Sequence, residues 1–400
     1  MPQINRSRQP PQSQSDPMRI LHVIAGLDPA LGGPVSAMEG LAVALKNLGV
    51  EATILTAYRR TDDPTFAVNL ENQGIPVQRV GPVRTPLQTH PSIKPVVQQA
   101  VQRADAVHIH GLWEDIQHQA ARASLRLGKP YVIRPCGMLD PWSLGQSAMR
   151  KRLYLAWRLR KNLNHAAAIH FTAAAERDLT APLKIQAPAI VEPNGLNLQK
   201  FSGRPDGLFR QQYPQLGDKP YVLFLSRIHR KKGLDILIPA FAQAAPQDVS
   251  LVIAGPGKPD YVEEIRALAQ SHGLADRVVM PGLIAGDMKL SAYTDAEVFA
   301  LPSYQENFGN VVIESLACGT PVLISDQVNI YREVVEAQVG GASPANIVSF
   351  TQLMSHWLAN GRIRDQAHSR MQAFVSQHYD WREIAGRWLD HYAELIGQDH

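Results

Sequence analysis

Two carboxylates with seven residues between them, and a group of cations some seventy residues before them, are the parts of this sequence best equipped for chemistry. Within PSYQENFGNVVIESLACGTPVLISD (302–326), Glu306 sits in a polar loop. Glu314 falls a turn or two into the apolar helix that follows. Glutamate is seldom fully buried without a partner, so the pair is either the exposed flank of an ordinary helix or faces something with hydroxyl groups. The helix start near Gly309, Asn310 and Val311 has N–H groups with no intrahelical acceptor, which suits an anion. Acceptor-only carboxylates are suited to gripping paired sugar hydroxyls. Taken alone, Glu314 is equally well read as half of a structural salt bridge.

The cations lie in SRIHRKKG (226–233): Arg227, Arg230, Lys231 and Lys232 surround a helix start. Guanidinium and ammonium groups beside helix N–H groups make a diphosphate-binding arrangement. A solvated basic loop has the same composition, but this one lies between an apolar strand and a Gly-led helix. A second loop, GLDPALGGPVS (26–36), places Gly32 and Gly33 where backbone could approach a phosphate. It is not GxGxxG, so a dinucleotide site is not indicated, and a simple tight turn fits it as well. VHIHGLW (107–113) puts His108 and His110 on one strand face. No third residue at metal-like spacing accompanies them, so no metal site is expected. A structural role suits these histidines, and His110 is the better site candidate because Gly111 follows it. RPCGMLDPW (134–142) offers Gly137, Asp140 and Trp142 after another strand.

These loops need strands to hold them. From Met18 the chain alternates short apolar runs with amphipathic helices, a pattern of βαβ units and parallel sheets. The spacing predicts strands at RILHVIAG, EATILTA, 77–80, 105–110, 130–134, 167–171 and 188–192. Periodicity dissolves into Pro, Gly and Asp across 193–220, then resumes with YVLFLSR, SLVIAG, RVVMPG, AEVFALP and PVLIS as strands. The expected organisation is a tail at 1–17, an acceptor-side Rossmann-like domain at 18–200 and a linker at 201–218. A second Rossmann-like domain at 219–377 follows, and a helix at 378–400 crosses back to the first. Two such sheets, each doubly wound, would enclose a cleft at their carboxyl ends, where open α/β sheets bind ligands.

Bulk properties narrow the function classes. The 400 residues exceed one core, and 45% hydrophobic with 19% charged residues fits a globular chain. A net charge of +4 and the lack of any nucleic-acid motif argue against DNA or RNA as partner. Two distant cysteines, Cys136 and Cys318, make no disulfide framework and indicate a reducing compartment. The first seventeen residues have no apolar h-region and the composition of a disordered tail, and no run is long enough to span a bilayer. The expectation is a cytoplasmic protein, at most peripheral on the inner face of a membrane.

With these residues in view, the chain resembles the retaining glycosyltransferases of family 4, also called group 1, which have the GT-B fold. The resemblance covers Met18 to about Gly397. Its most specific part is the Glu-x7-Glu of ENFGNVVIESLACGTPV, supported by SRIHRKKG, VEPNGLNLQKF, IAGPG and LPSY. GMLDPW is similar to the branch that builds exopolysaccharides or cell-surface glycans. The resemblance implies a nucleotide-diphosphate sugar as donor, a glycan or lipid-linked glycan as acceptor, and no cofactor or metal. It implies that Arg227 and Lys232 neutralise the departing diphosphate, that Glu314 binds the ribose, and that Glu306 and His110 contact the donor sugar. Backbone N–H groups of Phe308, Gly309 and Asn310 would meet the sugar or phosphates, and Gly33 would underlie the diphosphate. Asn194, Gly255 and Gly257 would shape the cleft and base pocket, with Gly137, Asp140 and Trp142 on the acceptor side. Cys136 departs from the family's polar residue in RPCGM, and SR replaces the commoner GR before Ile228.

Two other classes share the architecture: a nucleotide-sugar epimerase that eliminates and re-adds the nucleotide, and a non-catalytic scaffold. The Asn-Phe-Gly context argues against the first, the intact basic loop and both acids against the second. One further segment, SAMRKRLYLAWRLRKNLNHA (147–166), interleaves Lys151, Arg152, Arg158, Arg160 and Lys161 with Leu153, Tyr154, Trp157 and Leu159. Such a helix either lies on an anionic membrane or packs in a core behind a solvated basic face.

Overall fold

The computed structural model describes residues 16–28, 33–146, 148–203 and 205–398; the expected N-terminal tail falls almost entirely outside the described residues. Among the described residues, thirteen strands form two wholly parallel sheets. The first contains β1 (Arg19–Ile24), β2 (Glu51–Ala57), β3 (Val77–Val80), β4 (Ala106–His110), β5 (Tyr131–Arg134), β6 (Ala168–Phe171) and β7 (Ala189–Val191), in the order β3-β2-β1-β4-β5-β6-β7. The second contains β8 (Tyr221–Leu225), β9 (Ser250–Ala254), β10 (Val278–Gly282), β11 (Val298–Leu301), β12 (Val322–Ser325) and β13 (Gly340–Ser343), in the order β10-β9-β8-β11-β12-β13. β13 has the sequence GGAS and shows no apolar run, so the sequence reading did not include it. Its glycines are required by packing: a Cβ on Gly340 would lie 2.2 Å from the Val322 carbonyl oxygen.

Each sheet is buried on both faces, which is why β8, β9 and β11 read as continuous apolar runs rather than alternating ones. The described part of 201–218 is less of a spacer than its composition suggests. Helix Leu208–Gln212 sets Phe209 fully into the core of the second domain, and the Phe209 N–H donates to Ser291 Oγ at 2.8 Å.

The chain returns to the first sheet at its end. Helix Gly361–Tyr379 packs Ala367, Met371, Val375 and Tyr379 into the second core. Asp380 then N-caps helix Trp381–Gly397, which buries Ile384, Ala385, Trp388, Tyr392 and Leu395 against Ile20, Leu41, Val132 and Ala168 of the first domain. A fully buried aliphatic side chain such as Ile384 contributes roughly 1.5–3 kcal/mol, so the crossing helix is a firm strut. Leu196 and Trp381 lock the crossover: the Leu196 N–H donates to the Tyr379 carbonyl at 2.6 Å, and Trp381 N–H donates back to Leu196 at 3.1 Å.

Candidate active site

Topology decides where the site lies. β1 and β4 are neighbours in the first sheet, β8 and β11 in the second, and at each pair the strand order reverses. Open parallel sheets bind ligands beyond the carboxyl ends of such strands. The carboxyl ends of these four strands, and the loops and helix starts that follow them, carry Gly33, His110, Arg227 to Lys232, and Glu306.

After β8, a 3₁₀ turn at Arg230–Lys232 is capped by His229, whose Nδ1 accepts from the Lys231 N–H at 3.1 Å. Gly233 follows with φ +71°, and a Cβ there would stand 2.0 Å from the Pro302 carbonyl oxygen. Glycine alone lets this loop touch the loop after β11. The contact delivers Lys232 onto Glu306 as an ion pair, with side chains only 11% and 19% exposed. Glu306 is also pinned by its backbone: its N–H donates to Gln327 at 2.9 Å and its carbonyl accepts from Asn329 at 3.1 Å. Burial pushes the Glu306 carboxyl up, but Lys232, aided by Lys231 and Arg227, outweighs it and holds the group below its ordinary value. Burial lowers the Lys231 ammonium, which sits 4.7 Å above the Trp142 ring.

Gly255 and Gly257 serve this same loop. Gly255 has φ +133°, and a Cβ on it would lie 1.9 Å from the Ser226 carbonyl oxygen; one on Gly257 would lie 2.8 Å from Ile228 Cβ. Both press the loop after β9 against the residues flanking Arg227, so they set the shape of the basic loop's backbone.

Glu314 lies in helix Asn310–Ala317, which starts at Gly309 with φ +81°. Its Oε1 accepts from Lys289 Nζ at 3.0 Å and its Oε2 from the Tyr293 hydroxyl at 3.2 Å. Lys289 and Tyr293 were missed in the sequence, although their spacing of four puts them on one face of helix Gly286–Thr294. A carboxylate has about four lone-pair sites, so these partners orient Glu314 and leave acceptor capacity for hydroxyl groups. The Phe308 side chain is buried edge-on to Tyr379, 5.9 Å between centroids, and anchors the loop from behind.

The first domain meets this helix start. Asn194 Nδ2 donates to Asn310 Oδ1 at 2.9 Å, while Asn194 Oδ1 accepts from Arg134. Gly33 opens helix Gly33–Asn47, and a Cβ on it would lie 3.8 Å from Asn310 Nδ2. Two helix N-termini therefore meet at one part of the cleft, each bringing the positive end of its dipole.

The residues expected on the acceptor side are engaged across the cleft. Asp140 Oδ1 accepts from the Trp142 N–H at 2.7 Å and Oδ2 accepts from Gln305 Nε2 at 2.8 Å. Asp140 is buried, so it latches the first domain to the loop carrying Glu306 and does not present a free carboxylate. Gly137, at φ +74°, would carry a Cβ 2.9 Å from Asn307; its N–H donates to buried Glu176 at 2.7 Å. Trp142, beneath Lys231, is the exposed member of the three.

His110 belongs to a buried chain of rings. His22 lies opposite His108 in the β1–β4 register, and it supplies a third imidazole that the sequence reading did not identify. Its Nδ1 is 3.1 Å from His110 Nε2. The neighbouring set fixes its own tautomers. His170 Nε2 lies 2.8 Å from the Glu192 carbonyl and must donate to it, leaving Nδ1 as acceptor. His108 Nε2, 3.2 Å away, therefore donates, and its Nδ1 accepts from the Tyr392 hydroxyl at 2.6 Å. Burial drives all four imidazoles neutral, His22 down to about 3. His22, His108 and His110 offer ring nitrogens within 4.8 Å of one another. The set fits a metal ion poorly: His108 spends both nitrogens on other partners, and the Arg134 cation already acts on every ring. His22 Nε2 and His110 Nδ1 are buried without a partner.

The comparisons agree with this geometry. A model of the glycosyl transferases of group 1 matches residues 207–373, and one of the glycosyl transferase 4-like domain matches 32–195. Together they span both domains, and the chain belongs to this glycosyltransferase family, with the GT-B architecture. It is 25% identical over 392 residues to the GDP-mannose:cellobiosyl-diphosphopolyprenol alpha-mannosyltransferase of Xanthomonas oryzae, covering 95% of this chain and 98% of that one. It is 34% identical to the D-inositol 3-phosphate glycosyltransferase of Xylanimonas cellulosilytica, over only 44% of this chain and 43% of the relative. Among solved structures, Anabaena HepE in complex with UDP and glucose superposes with a TM-score of 0.76 at 22% identity, covering 94% of this chain and all of that one.

Proposed function

We propose that this glycosyltransferase moves a sugar from a nucleotide-diphosphate sugar to a glycan or lipid-linked glycan acceptor, with retention of anomeric configuration and without a metal ion, in cell-surface polysaccharide assembly. One observation carries the reading: Lys232 pairs with Glu306, Arg227 acts electrostatically on the same carboxylate, and the N-termini of helices Gly33–Asn47 and Asn310–Ala317 meet beside it between the domains, with Glu314 in the second of these helices. Breaking an anomeric C–O bond leaves a diphosphate anion and an oxocarbenium-like sugar. Fixed cations and helix dipoles stabilise charge that grows only as that bond breaks, the task a divalent ion performs in other enzymes.

Within this reading Glu306 holds Lys232 in place until the diphosphate arrives, and its carboxylate lies beside the reacting sugar. Glu314, oriented by Lys289 and Tyr293, accepts from the ribose hydroxyls. The domain contacts Asp140–Gln305 and Asn194–Asn310 close the cleft around the donor and exclude water, which suppresses hydrolysis. The leaving phosphate takes the acceptor's proton. The names of relatives support the substrate classes: one uses GDP-mannose and a diphosphopolyprenol-linked glycan, and a structural neighbour binds UDP and glucose. No described helix is long and apolar enough to cross a membrane, and we place the enzyme in the cytoplasm, where nucleotide sugars are available.

Incubation with labelled UDP-, GDP- and ADP-sugars and a glycan-lipid extract tests this. The reading requires label in a larger product, α-linked from an α-donor, undiminished by a chelator. Free isomerised sugar without transfer, or chelator-sensitive transfer, refutes it.

A further inference from the structure

We propose that the surface formed by Trp142 and the outer face of 149–161 docks on anionic lipid and seats the mouth of the cleft against the bilayer. The segment is three joined helical pieces, Ala148–Tyr154, a π-helical turn Leu155–Leu159, and Arg160–Asn164. Leu155, Leu159 and Leu163, four residues apart, are buried in the first domain's core. Met149, Leu153 and Trp157, also four apart, form the opposite stripe and stand 78%, 52% and 87% exposed. Of the two alternatives left open by the sequence, the core-helix reading therefore accounts for one face only. A tryptophan this exposed leaves a large apolar ring in water, and here it ends a row of three apolar side chains.

Charge identifies the occupant. Arg150, Arg152 and Lys161 flank the stripe and are exposed. No aspartate or glutamate occurs between Asp140 and Glu176. Arg158, the inward cation, is already paired with Asp115. An apolar row with tryptophan at its end and an acid-free basic collar matches a bilayer interface that carries negative headgroups. A second copy of the chain would bring the same positive collar against itself.

Position gives the surface its use. Lys151 Nζ donates to the Ser143 carbonyl at 2.5 Å, which ties this segment to the short helix beginning beside Trp142. Trp142 is 42% exposed and lies under Lys231, the neighbour of Lys232 in the basic loop. The docking face is thus continuous with the lip of the cleft. The docking itself does not depend on which sugar moves. Only its use by a lipid-linked acceptor rests on the function proposed above.

Co-sedimentation of the full chain with vesicles of phosphatidylcholine alone, or with about a third phosphatidylglycerol, tests the surface. Wild type is expected to bind the anionic vesicles at least tenfold more tightly than the neutral ones. Leu153→Ser with Trp157→Ser, and separately Arg150→Glu with Arg152→Glu, should each lose at least tenfold. All these residues are exposed, so thermal melting and nucleoside-diphosphate binding should stay at wild-type values. Equal binding to both vesicle types, no binding, or undiminished binding by the variants overturns the proposal. So does a wild-type dimer in light scattering that becomes monomeric in the Trp157 variant. Transfer to a water-soluble acceptor, measured in parallel, reports on the sugar-transfer reading independently.

Discussion

Replacing Lys232 with alanine perturbs the site at its most heavily coupled point. The Lys232 and Glu306 side chains are 11% and 19% exposed, so the pair is largely desolvated. Stranding one member of a buried pair costs about 3–5 kcal/mol in measured cases, which sets the upper range for lost stability. For catalysis the relevant comparison is loss of one fixed donor aimed at developing charge, worth about 10²–10³ in turnover. Lys232→Ala should therefore lower sugar transfer by at least about a hundredfold. It should weaken nucleoside diphosphates by more than the corresponding nucleosides, because the proposed role of the lost cation is to meet phosphate and not base. A pH signature accompanies this. The folded Glu306 carboxyl lies below its unfolded value, so its stabilisation is present above about pH 4.5 and is lost as pH falls through the folded value. Without Lys232, burial becomes the leading influence and raises that carboxyl, so the variant's stability deficit should be largest near neutrality and narrow towards pH 4. Calorimetric binding of UDP, GDP and their nucleosides, turnover with the labelled donor panel, and urea melts at several pH values measure all three effects. Turnover within twofold of wild type, in a folded variant, refutes the phosphate assignment.

Gly255→Ala places a Cβ 1.9 Å from the Ser226 carbonyl at φ +133°, so the melting temperature should drop by several degrees and diphosphate affinity should fall with it. Tyr392→Phe removes the donor to buried His108 Nδ1 and should cost about 1–3 kcal/mol in urea melts, with little change in diphosphate affinity. The four buried imidazoles are held neutral, with folded values below the unfolded one near 6.5. Unfolding therefore takes up protons as pH drops below about 6.5, and His22, held down at about 3, alone can withdraw on the order of 2 kcal/mol by pH 5. A steep loss of stability between pH 6.5 and 4.5 is the expected result in pH-dependent melts, and a flat profile there contradicts the burial argument.

The parallel architecture was legible because strands buried on both faces read as uninterrupted apolar runs, as in Tyr221–Leu225 and Ser250–Ala254. Gly340–Ser343 was not, because close packing against Val322 selected glycine where propensity favours β-branched residues. Glu306, Lys232 and Glu314 stood out because unpaired charge beside an apolar helix demands a partner. The partners themselves were hidden whenever they came from another element. Lys289 and Tyr293 reach Glu314 only through packing of helix Gly286–Thr294, and His22 reaches His110 only through the β1–β4 register. Asp140 and Gly137 were recognised as cleft residues, but their bonds to Gln305 and Glu176 depend on how the domains and loops meet. Exposure along 149–157 was equally invisible, since a basic amphipathic pattern does not say which face the core takes.

The central claim is that Arg227, Lys232 and two helix N-termini receive the diphosphate of an activated sugar. A crystal structure of the protein with bound UDP or GDP tests it most directly. The account predicts both phosphates within hydrogen-bonding distance of Lys232 Nζ and the Arg227 guanidinium, with the ribose hydroxyls on Glu314. A nucleotide bound with its phosphates elsewhere, or with its ribose remote from Glu314, contradicts it.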